Sequence, residues 1–515
     1  MKATTINMTT GNAVKHILVF SVPLLIGNIF QQFYNLADSI IVGKFINADA
    51  LAAIGVTSSI TFLFFAICNG FASGGGILVS QSFGRGDTKE VKNYIANTGY
   101  IMILLPLFVG TLAFFLAGPI LKMLDTPENI FGDARLYIRL MSIGLLFVSV
   151  YNYVSSILRA LGDSKTPLYF LIFTCFLNVL LDLLFVCVFK QGVFGAGIAT
   201  LISQFASNIL CLIYAFKCSE YFKFSKNDLA FNKTVFIQTI KLGVPLSLQF
   251  SLIAISCMAL QRVVNTYGAI AVAAFTATSR IEQIIHQPYQ TLSAALSTFC
   301  GQNYWAKKND RVINGYKKTV LMMLIFTAVM VPLIQIFAEQ ISSIFVYEIE
   351  VIKMSAKAMR ITSYFYVFLG MIYVVRGILN GLGDAFFALF NGIVEVIGRF
   401  TVPFILTAIP LFGLWGIWWS VGIVWFISGF TAWLRYLYKK KMLRKEENWF
   451  FYGDLKLYLK SPYFLYRVHP YKQINIYGGI FIIPFSKLNC FGWTIIWFSI
   501  LFPNFSANFV NEVVV

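Results

Sequence analysis

Twelve runs of about 20 predominantly apolar residues occupy most of the chain before residue 438, and about 20 apolar residues are what a helix needs to cross the hydrocarbon core of a bilayer. An unpaired backbone polar group is costly inside that core, so such runs fold as helices. The runs cover approximately residues 15–42, 51–79, 94–121, 136–159, 167–189, 195–216, 239–265, 269–299, 316–345, 358–381, 386–410 and 414–438. The sequence therefore predicts an all-α integral membrane protein with twelve transmembrane helices.

The composition excludes several classes of function. Only 12% of the residues are charged, against about 25% in a soluble chain. The formal net charge of +18 comes largely from Lys and Arg in short loops between apolar runs, which sets membrane orientation and argues against nucleic-acid binding. The eight Cys residues are scattered singly, without disulfide-framework or zinc-site spacing. No Ser/His/Asp, Cys/His or HExxH arrangement is present, so the sequence does not favour an enzyme.

The basic loops predict how the chain crosses the membrane. Loops after spans 2, 4, 6, 8 and 12 are rich in Lys and Arg, those after spans 1, 5, 7 and 11 are nearly free of them, and those after spans 3 and 9 are mixed. Basic loops stay in the cytoplasm, so both ends of the twelve-helix core, near Lys15 and Lys440, are expected there. We expect a multi-pass protein of the plasma or inner membrane. The first apolar run lacks a cleavage signal and is interpreted as a transmembrane helix.

Landmarks in the first half of the chain recur in the second half. Matching residues separated by 221 positions are Gln81 and Gln302, Asn93 and Asn314, Gly162-Asp163 and Gly383-Asp384, and Gly192 and Gly195 with Gly413 and Gly416. So many matches at one offset indicate that the second half of the chain repeats the first half. Because six spans precede the second copy, the halves share one orientation and are parallel repeats.

This duplication predicts two six-helix lobes. We assign residues 1–217 to the N-lobe, 218–238 to a cytoplasmic linker and 239–445 to the C-lobe. Residues 446–515 form a C-terminal extension with two apolar stretches, Ile474–Phe485 and Cys490–Phe502, each too short to span a bilayer alone. The extension is interpreted as a re-entrant or interfacial element, or as a poorly ordered appendage.

Three of the apolar runs in the N-lobe carry stripes of polar side chains. Asn178 and Asp182 are spaced i and i+4 and share one helix face. The other two stripes comprise Asn28, Gln31 or Gln32, Asn35 and Asp38 on span 1, and Thr200, Gln204 and Asn208 on span 6. A carboxylate in hydrocarbon is a functional candidate by default, although it could also tie neighbouring helices together by hydrogen bonds. Together the stripes predict one wet, acidic pocket.

Such a pocket has two chemical uses. Two Asp side chains in one low-dielectric site should titrate as a coupled pair that can take up a proton near neutral pH. With carbonyl or water oxygens completing the shell, Asp38, Asn178 and Asp182 could instead hold a hard cation such as Na⁺. The residues alone leave both alternatives open, and no cofactor is indicated.

The C-lobe carries its own buried charges. On span 8, Glu282 precedes His286 by four residues with Arg280 nearby, and on span 11 Glu395 precedes Arg399 by four. The Glu395–Arg399 pair could be structural or could contact substrate, and His286 could be a hydrogen-bonded structural residue or a pH switch. Residues predicted to line a substrate cavity are Gln31, Asn35, Gln204, Glu282, Gln283, His286, Glu395 and Arg399. Arg376 on span 10 has no obvious partner in the sequence.

Several of these stretches resemble the MATE family of multidrug and toxic-compound extrusion transporters, within the flippase-like superfamily. The matching motifs are VPLLIGNIFQQFYNLADSIIVGKF, SQSFGRGD, RALGDSKTP, NVLLD, GVFGAGIAT and FCGQN. The resemblance covers residues 10–440 and implies a V-shaped pair of lobes that exports organic compounds against an inward H⁺ or Na⁺ flux. It also implies a cation-coupling site at Asp38, Asn178, Asp182 and Thr200.

The chain departs from the family pattern in three places. Span 7 contains no carboxylate, so an acidic C-lobe cation site is not expected. Tyr304-Trp305-Ala306 puts a bulky ring at a loop position that is often small in relatives. Residues 446–515 have no recognised counterpart.

The leading functional hypothesis is a secondary active multidrug exporter that moves organic cations out of the cell in exchange for H⁺ or Na⁺. A lipid-linked oligosaccharide flippase of the same superfamily is the alternative, and a strongly cationic cavity would favour it. We expect a monomer that contacts small-molecule substrates and membrane lipid.

Overall fold

The computed structural model of the protein describes residues 5–451, with side chains at all of these positions except 48, 59, 254, 258 and 445–451. The described chain is helical and contains no β-strand. The predicted C-terminal extension, with its two short apolar stretches, lies outside the described residues apart from its first six positions. Those positions continue the last helix, which extends past the predicted end of span 12 at residue 438.

Thirteen α-helices make up the described chain. In the N-lobe they are α1 (Ala13–Phe45), α2 (Ala48–Arg85), α3 (Thr88–Met123), α4 (Glu128–Ala160), α5 (Lys165–Asp182, continued by a π-helical segment, Leu183–Val188) and α6 (Gly192–Cys218). In the C-lobe they are α7 (Lys233–Asn265), α8 (Ala269–Trp305), α9 (Asn309–Ser343), α10 (Ile349–Ser363), α11 (Tyr366–Gly381), α12 (Ala385–Ala408) and α13 (Gly416–Phe451).

The helices agree with the predicted membrane spans. Within residues 5–451, ten helices are long and apolar enough to cross a membrane, and α10 and α11 together form one more candidate. The helix α8 has 37 residues and is long enough to cross a membrane. Its polar side chains make it less apolar than the candidate spans. The all-helical membrane fold predicted from the sequence is confirmed.

Span 10 is broken, which the apolar pattern did not predict. The axes of α10 and α11 differ by 57° at residues 364–365. The carbonyl of Arg360 accepts hydrogen bonds from the side chains of Ser363 (2.9 Å) and Gln335 (2.9 Å). Side chains of Ser and Thr that bond back to the preceding turn bend helices, and Gln335 on α9 provides a donor for the carbonyl at the break.

Each repeat begins with a helix that crosses to the other lobe. Met8, which precedes α1, and Ile17 and Phe20, in the first turns of α1, are buried in the apolar core of the C-lobe. The reciprocal contact is made by Val235 at the start of α7, which is buried in an N-lobe core. Further along α7, a Cβ atom on Gly74 of α2 would lie only 2.9 Å from the backbone nitrogen of Gly243, so the two helices approach at glycines.

Candidate functional site

The two polar residues of span 5 lie where the helix changes its geometry. Asn178 and Asp182 are both fully buried. Asp182 is the last α-helical residue of α5, and the π-helical segment Leu183–Val188 follows it directly. A π-helical turn widens the backbone spacing and is frequent at functional sites, and here it follows directly on the carboxylate in the middle of a membrane span.

Asn178 connects Asp182 to helix α6. In the orientation that satisfies both neighbours, its amide donates to Oδ2 of Asp182 (2.9 Å) and accepts from the backbone N–H of Thr200 (3.3 Å). This assignment follows from the hydrogen-bond network. The i and i+4 spacing seen in the sequence thus becomes a direct contact between the two side chains on one face of α5.

Asp38 on α1 completes the acidic pair. Its carboxyl group lies within hydrogen-bonding reach of the Asp182 carboxyl group. Each of the two residues also has one buried oxygen, Oδ1, with no hydrogen-bond partner among the described residues. Buried polar atoms are normally paired, so these two oxygens are available to a proton or a cation.

Two tyrosines adjoin this pair. The side chain of Tyr34 lies beside that of Thr200, and both Tyr34 and Tyr137 lie close enough to interact electrostatically with the two carboxyl groups. Tyr137 on α4 was not predicted to lie at the site, because a single Tyr in an apolar run does not indicate a polar site. The structure thus brings together the four residues expected to couple a cation, Asp38, Asn178, Asp182 and Thr200.

The donor set fits a proton or a hard cation. Carboxylate, hydroxyl and amide oxygens are the ligand types that such cations prefer. Within the described residues, no group of three or more His, Cys, Asp and Glu side chains is arranged to hold a metal ion. The two carboxyl groups of Asp38 and Asp182 would need neutral oxygens to complete the shell of a bound cation.

The predicted cavity residues of α1 and α6 are less enclosed. Gln31 and Asn35 are exposed and Gln204 is half-buried. Asn28 donates a hydrogen bond to Oε1 of Gln287 on α8 (2.9 Å) and so joins the stripe on α1 to the C-lobe.

The C-lobe contains a buried ionic triad. Glu395 lies between two arginines, with Oε2 2.8 Å from Arg376 and Oε1 2.6 Å from Arg399. Arg376 also donates to Oδ1 of Asn391 (2.9 Å), and Arg399 donates to Oγ of Ser256 on α7 (3.1 Å). The partner of Arg376, which the sequence did not reveal, is thus Glu395, the acidic member of the predicted Glu395–Arg399 pair.

Glu282 has different neighbours from those expected. Arg280 is exposed, and no ion pair joins it to Glu282 in the described part of the chain. Glu282 instead lies beside Thr362 and within electrostatic range of Arg399. Its Oε1 is buried without a partner among the described residues, and the side chain is only 9% exposed.

His286 lies one turn beyond Glu282 on α8. Its ring packs edge-on against Trp425 at 5.6 Å between centroids, and Tyr373 lies at 6.2 Å. Nε2 of His286 is buried without a partner within the described residues. Gln283, the remaining predicted cavity residue, is exposed.

Comparisons with known proteins agree with this architecture. The family model described as MatE matches residues 23–184 and 245–410, one segment in each lobe. The chain is 31% identical to "Probable multidrug resistance protein YpnP" of Bacillus subtilis over 84% of this chain and 96% of that protein. It is 23% identical to "Multidrug export protein MepA" of Staphylococcus saprophyticus over 82% of this chain and 92% of that protein.

The fold has solved counterparts. A structure described as the "Outward-facing conformation of a multidrug resistance MATE family transporter of the MOP superfamily" superposes with a TM-score of 0.79 at 22% identity, covering 86% of this chain and 99% of the other. The family match spans both lobes, and the relative from Bacillus subtilis aligns along nearly its whole length. The protein therefore belongs to the MatE family of membrane transporters.

Proposed function

We propose that the protein is a secondary active exporter that moves organic cations out of the cell in exchange for H⁺ or Na⁺. The observation that carries the proposal is the contact between Asp38 and Asp182, each with an unpartnered buried oxygen. The names of the relatives, a multidrug resistance protein and a multidrug export protein, support export of drug-like compounds.

The chemistry of coupling follows from the repulsion between the two carboxylates. Two adjacent carboxylates without a positive counter-charge cannot both stay ionised at low energy in a low-dielectric site. A bound proton or Na⁺ relieves the repulsion, and its loss restores it. Binding of the cation therefore changes the packing of α1 against α5, and we propose that this change drives the lobes to open alternately to the two sides of the membrane.

A vesicle assay tests the coupling directly. The purified protein is reconstituted in vesicles, and uptake of a fluorescent organic cation is followed under a pH gradient at equal Na⁺ or under a Na⁺ gradient at equal pH. We expect one of the two gradients to drive uptake above that of protein-free vesicles. If neither gradient drives uptake of any cationic compound tested, the proposal is wrong.

The charges inside the membrane favour this function over the flippase alternative. A flippase for a phosphate-linked lipid would need a strongly cationic cavity. The clusters described above contain four carboxyl groups, those of Asp38, Asp182, Glu282 and Glu395, and two arginines, Arg376 and Arg399. Both arginines are bonded to Glu395, and Arg399 also lies within electrostatic range of Glu282, so these clusters offer little free positive charge to an anionic headgroup.

Glu282 is proposed to recognise the cationic substrate. We expect Glu282→Gln to weaken the apparent affinity for a cationic compound on the order of tenfold. A carboxylate attracts a nearby cation by roughly 1–4 kcal/mol at an effective dielectric between that of water and that of a protein surface. Affinity for a neutral compound should change much less. Competition assays with matched cationic and neutral compounds measure both effects.

Glu350→Gln provides the control, because Glu350 is an exposed carboxylate of the same lobe. It should leave both affinities unchanged. A loss of the same size for cationic and neutral compounds in Glu282→Gln, or a misfolded variant, would favour a structural role as a partner of Thr362.

The proposed orientation places the linker between α6 and α7 in the cytoplasm. Lys226 is exposed in this linker, and Tyr347 is 96% exposed in the loop between α9 and α10, at the other end of a membrane span. In a Cys-free background, a membrane-impermeant thiol reagent added to intact cells should label Tyr347→Cys and leave Lys226→Cys unmodified. The reverse pattern would show that the chain is inserted the other way round.

A further inference from the structure

We infer that Gln81 and Gln302 are reciprocal latches that hold the cytoplasmic side of the transporter closed. The inference rests on the proposed alternating access and on the proposed orientation. Gln81 lies on α2 of the N-lobe and Gln302 on α8 of the C-lobe, and both side chains are buried, at 4% and 0% exposed.

Each glutamine donates a hydrogen bond to a backbone carbonyl of the opposite lobe. Nε2 of Gln81 donates to the carbonyl of Gly381 (3.0 Å), and Nε2 of Gln302 donates to that of Ala160 (2.9 Å). The two donors are 221 residues apart, and so are the two acceptors. The bonds are therefore the same contact made twice, once in each direction, about the axis that relates the repeats.

Both acceptors are the last residues of helices. Ala160 ends α4 and Gly381 ends α11. The last four carbonyls of a helix have no donor within the helix, and a buried carbonyl without a partner is costly. When the lobes are together, the opposite glutamine supplies the donor, and when they separate, water can supply it. The latch can therefore open without leaving a buried carbonyl unpaired.

The backbones at this interface touch directly. A Cβ atom on Gly84 would lie 2.0 Å from the carbonyl oxygen of Gln302, and one on Gly301 would lie 2.2 Å from Oγ of Ser80. No water layer fits between α2 and α8 at such an approach. At the edge of the contact, the guanidinium of Arg85 lies over the Trp305 ring at 4.5 Å, a cation–π contact between the lobes. The ring that departs from the family pattern thus lies at the end of α8 and not in a loop.

The segment before α1 reinforces one of the two latches. The backbone N–H of Met8 donates to Oε1 of Gln302 (2.9 Å), and the carbonyl of Met8 accepts from Asn303 (3.1 Å). Arg311 on α9 donates to the carbonyls of Met8, Thr10 and Gly11. Gln302, on α8, thus bonds both α4 and the N-terminal segment. Its replacement should therefore open the cytoplasmic side more than the replacement of Gln81.

Distances between spin labels test the latches without transport. In a Cys-free background, labels are attached at Thr88→Cys and Asp310→Cys, which are exposed at the starts of α3 and α9 and lie on opposite sides of the interface. Pulsed electron–electron double resonance then gives the distribution of distances between the two labels, with the protein in nanodiscs and without substrate or gradient. A failed transport assay therefore leaves this result intact, and the reverse also holds.

We replace glutamine by methionine, which keeps the volume and removes the donor. Gln302→Met should raise the ratio of long to short distances about tenfold or more, because the closed form then leaves both the Ala160 carbonyl and the Met8 N–H without their partner. Gln81→Met should give a smaller increase, and the double variant should make the long distance plainly measurable.

Gln335→Met is the matched control, because Gln335 donates to the carbonyl of Arg360 (2.9 Å) within a single lobe. It should leave the distance distribution unchanged. An unchanged distribution in the double variant, or an equal shift in the control, overturns the inference. If the double variant does not fold, Gln302→Asn, with a shorter side chain that does not reach the carbonyl, replaces it under the same criteria.

Discussion

Asp182→Asn is expected to abolish gradient-driven transport while leaving the protein folded. An amide has nearly the shape of the carboxyl group, can still accept from Asn178 and can donate to Asp38, but it cannot take up and release a proton or balance the charge of a cation. Uptake in reconstituted vesicles under the effective gradient should fall to that of protein-free vesicles. Asp38→Asn should have the same effect, because the two carboxyl groups form one site.

Asp133→Asn is the matched control for this prediction. Asp133 is an exposed carboxylate on α4 of the same lobe, so its replacement should leave uptake and folding unchanged. Thermal unfolding in detergent separates loss of coupling from loss of structure. Uptake by the Asp182→Asn variant at the rate of the unmodified protein would show that Asp182 is not the coupling residue.

Glu395→Ala is expected to be the most destabilising of these changes. It would leave Arg376 and Arg399, both bonded to Glu395 in the native protein, without their counter-charge. Removing one partner of a buried ionic group typically costs about 3–5 kcal/mol, because the remaining charge stays desolvated. The free energy of unfolding, measured by denaturant titration in detergent micelles, should fall by about that amount, and expression should fall with it.

The same substitution at the surface should cost far less. Glu339 pairs with Arg360 at 3.3 Å, and its side chain is 51% exposed, and exposed pairs contribute about 0–1 kcal/mol. Glu339→Ala is therefore the control. A loss of stability for Glu395→Ala no larger than that of the control would mean that water or a rearranged side chain compensates the two arginines.

The two lobes differ in whether their buried carboxyl groups are paired with basic side chains. In the C-lobe, Glu395 is bonded to two arginines, so the cluster supplies its own counter-charges. In the N-lobe, Asp38 and Asp182 face amide, hydroxyl and phenol groups, and no Lys or Arg pairs with them among the described residues. A mobile cation would supply the positive charge that this second cluster lacks, and we therefore propose the N-lobe site as the better candidate for ion coupling.

The sequence by itself determined the helical architecture. A bilayer requires an apolar run of defined length and a fully paired backbone, so the spans could be read from hydrophobicity alone. It also indicated the acidic site, because Asp182 in an apolar run is an exception with few explanations. The pairing of Asn178 with Asp182 followed from helical periodicity, which is a local property of the chain.

Only the tertiary structure decided which distant residues meet. Arg376 is bonded to Glu395, which lies on another helix, and no periodicity links the two positions. The repeat offset paired Gln81 with Gln302 as equivalents, but only the contact between the lobes showed that each caps a carbonyl of the other lobe. At the break between α10 and α11, the carbonyl of Arg360 accepts a hydrogen bond from Gln335 of a neighbouring helix. Local patterns determine helices, whereas the pairing of buried polar groups depends on the approach of segments far apart in the chain.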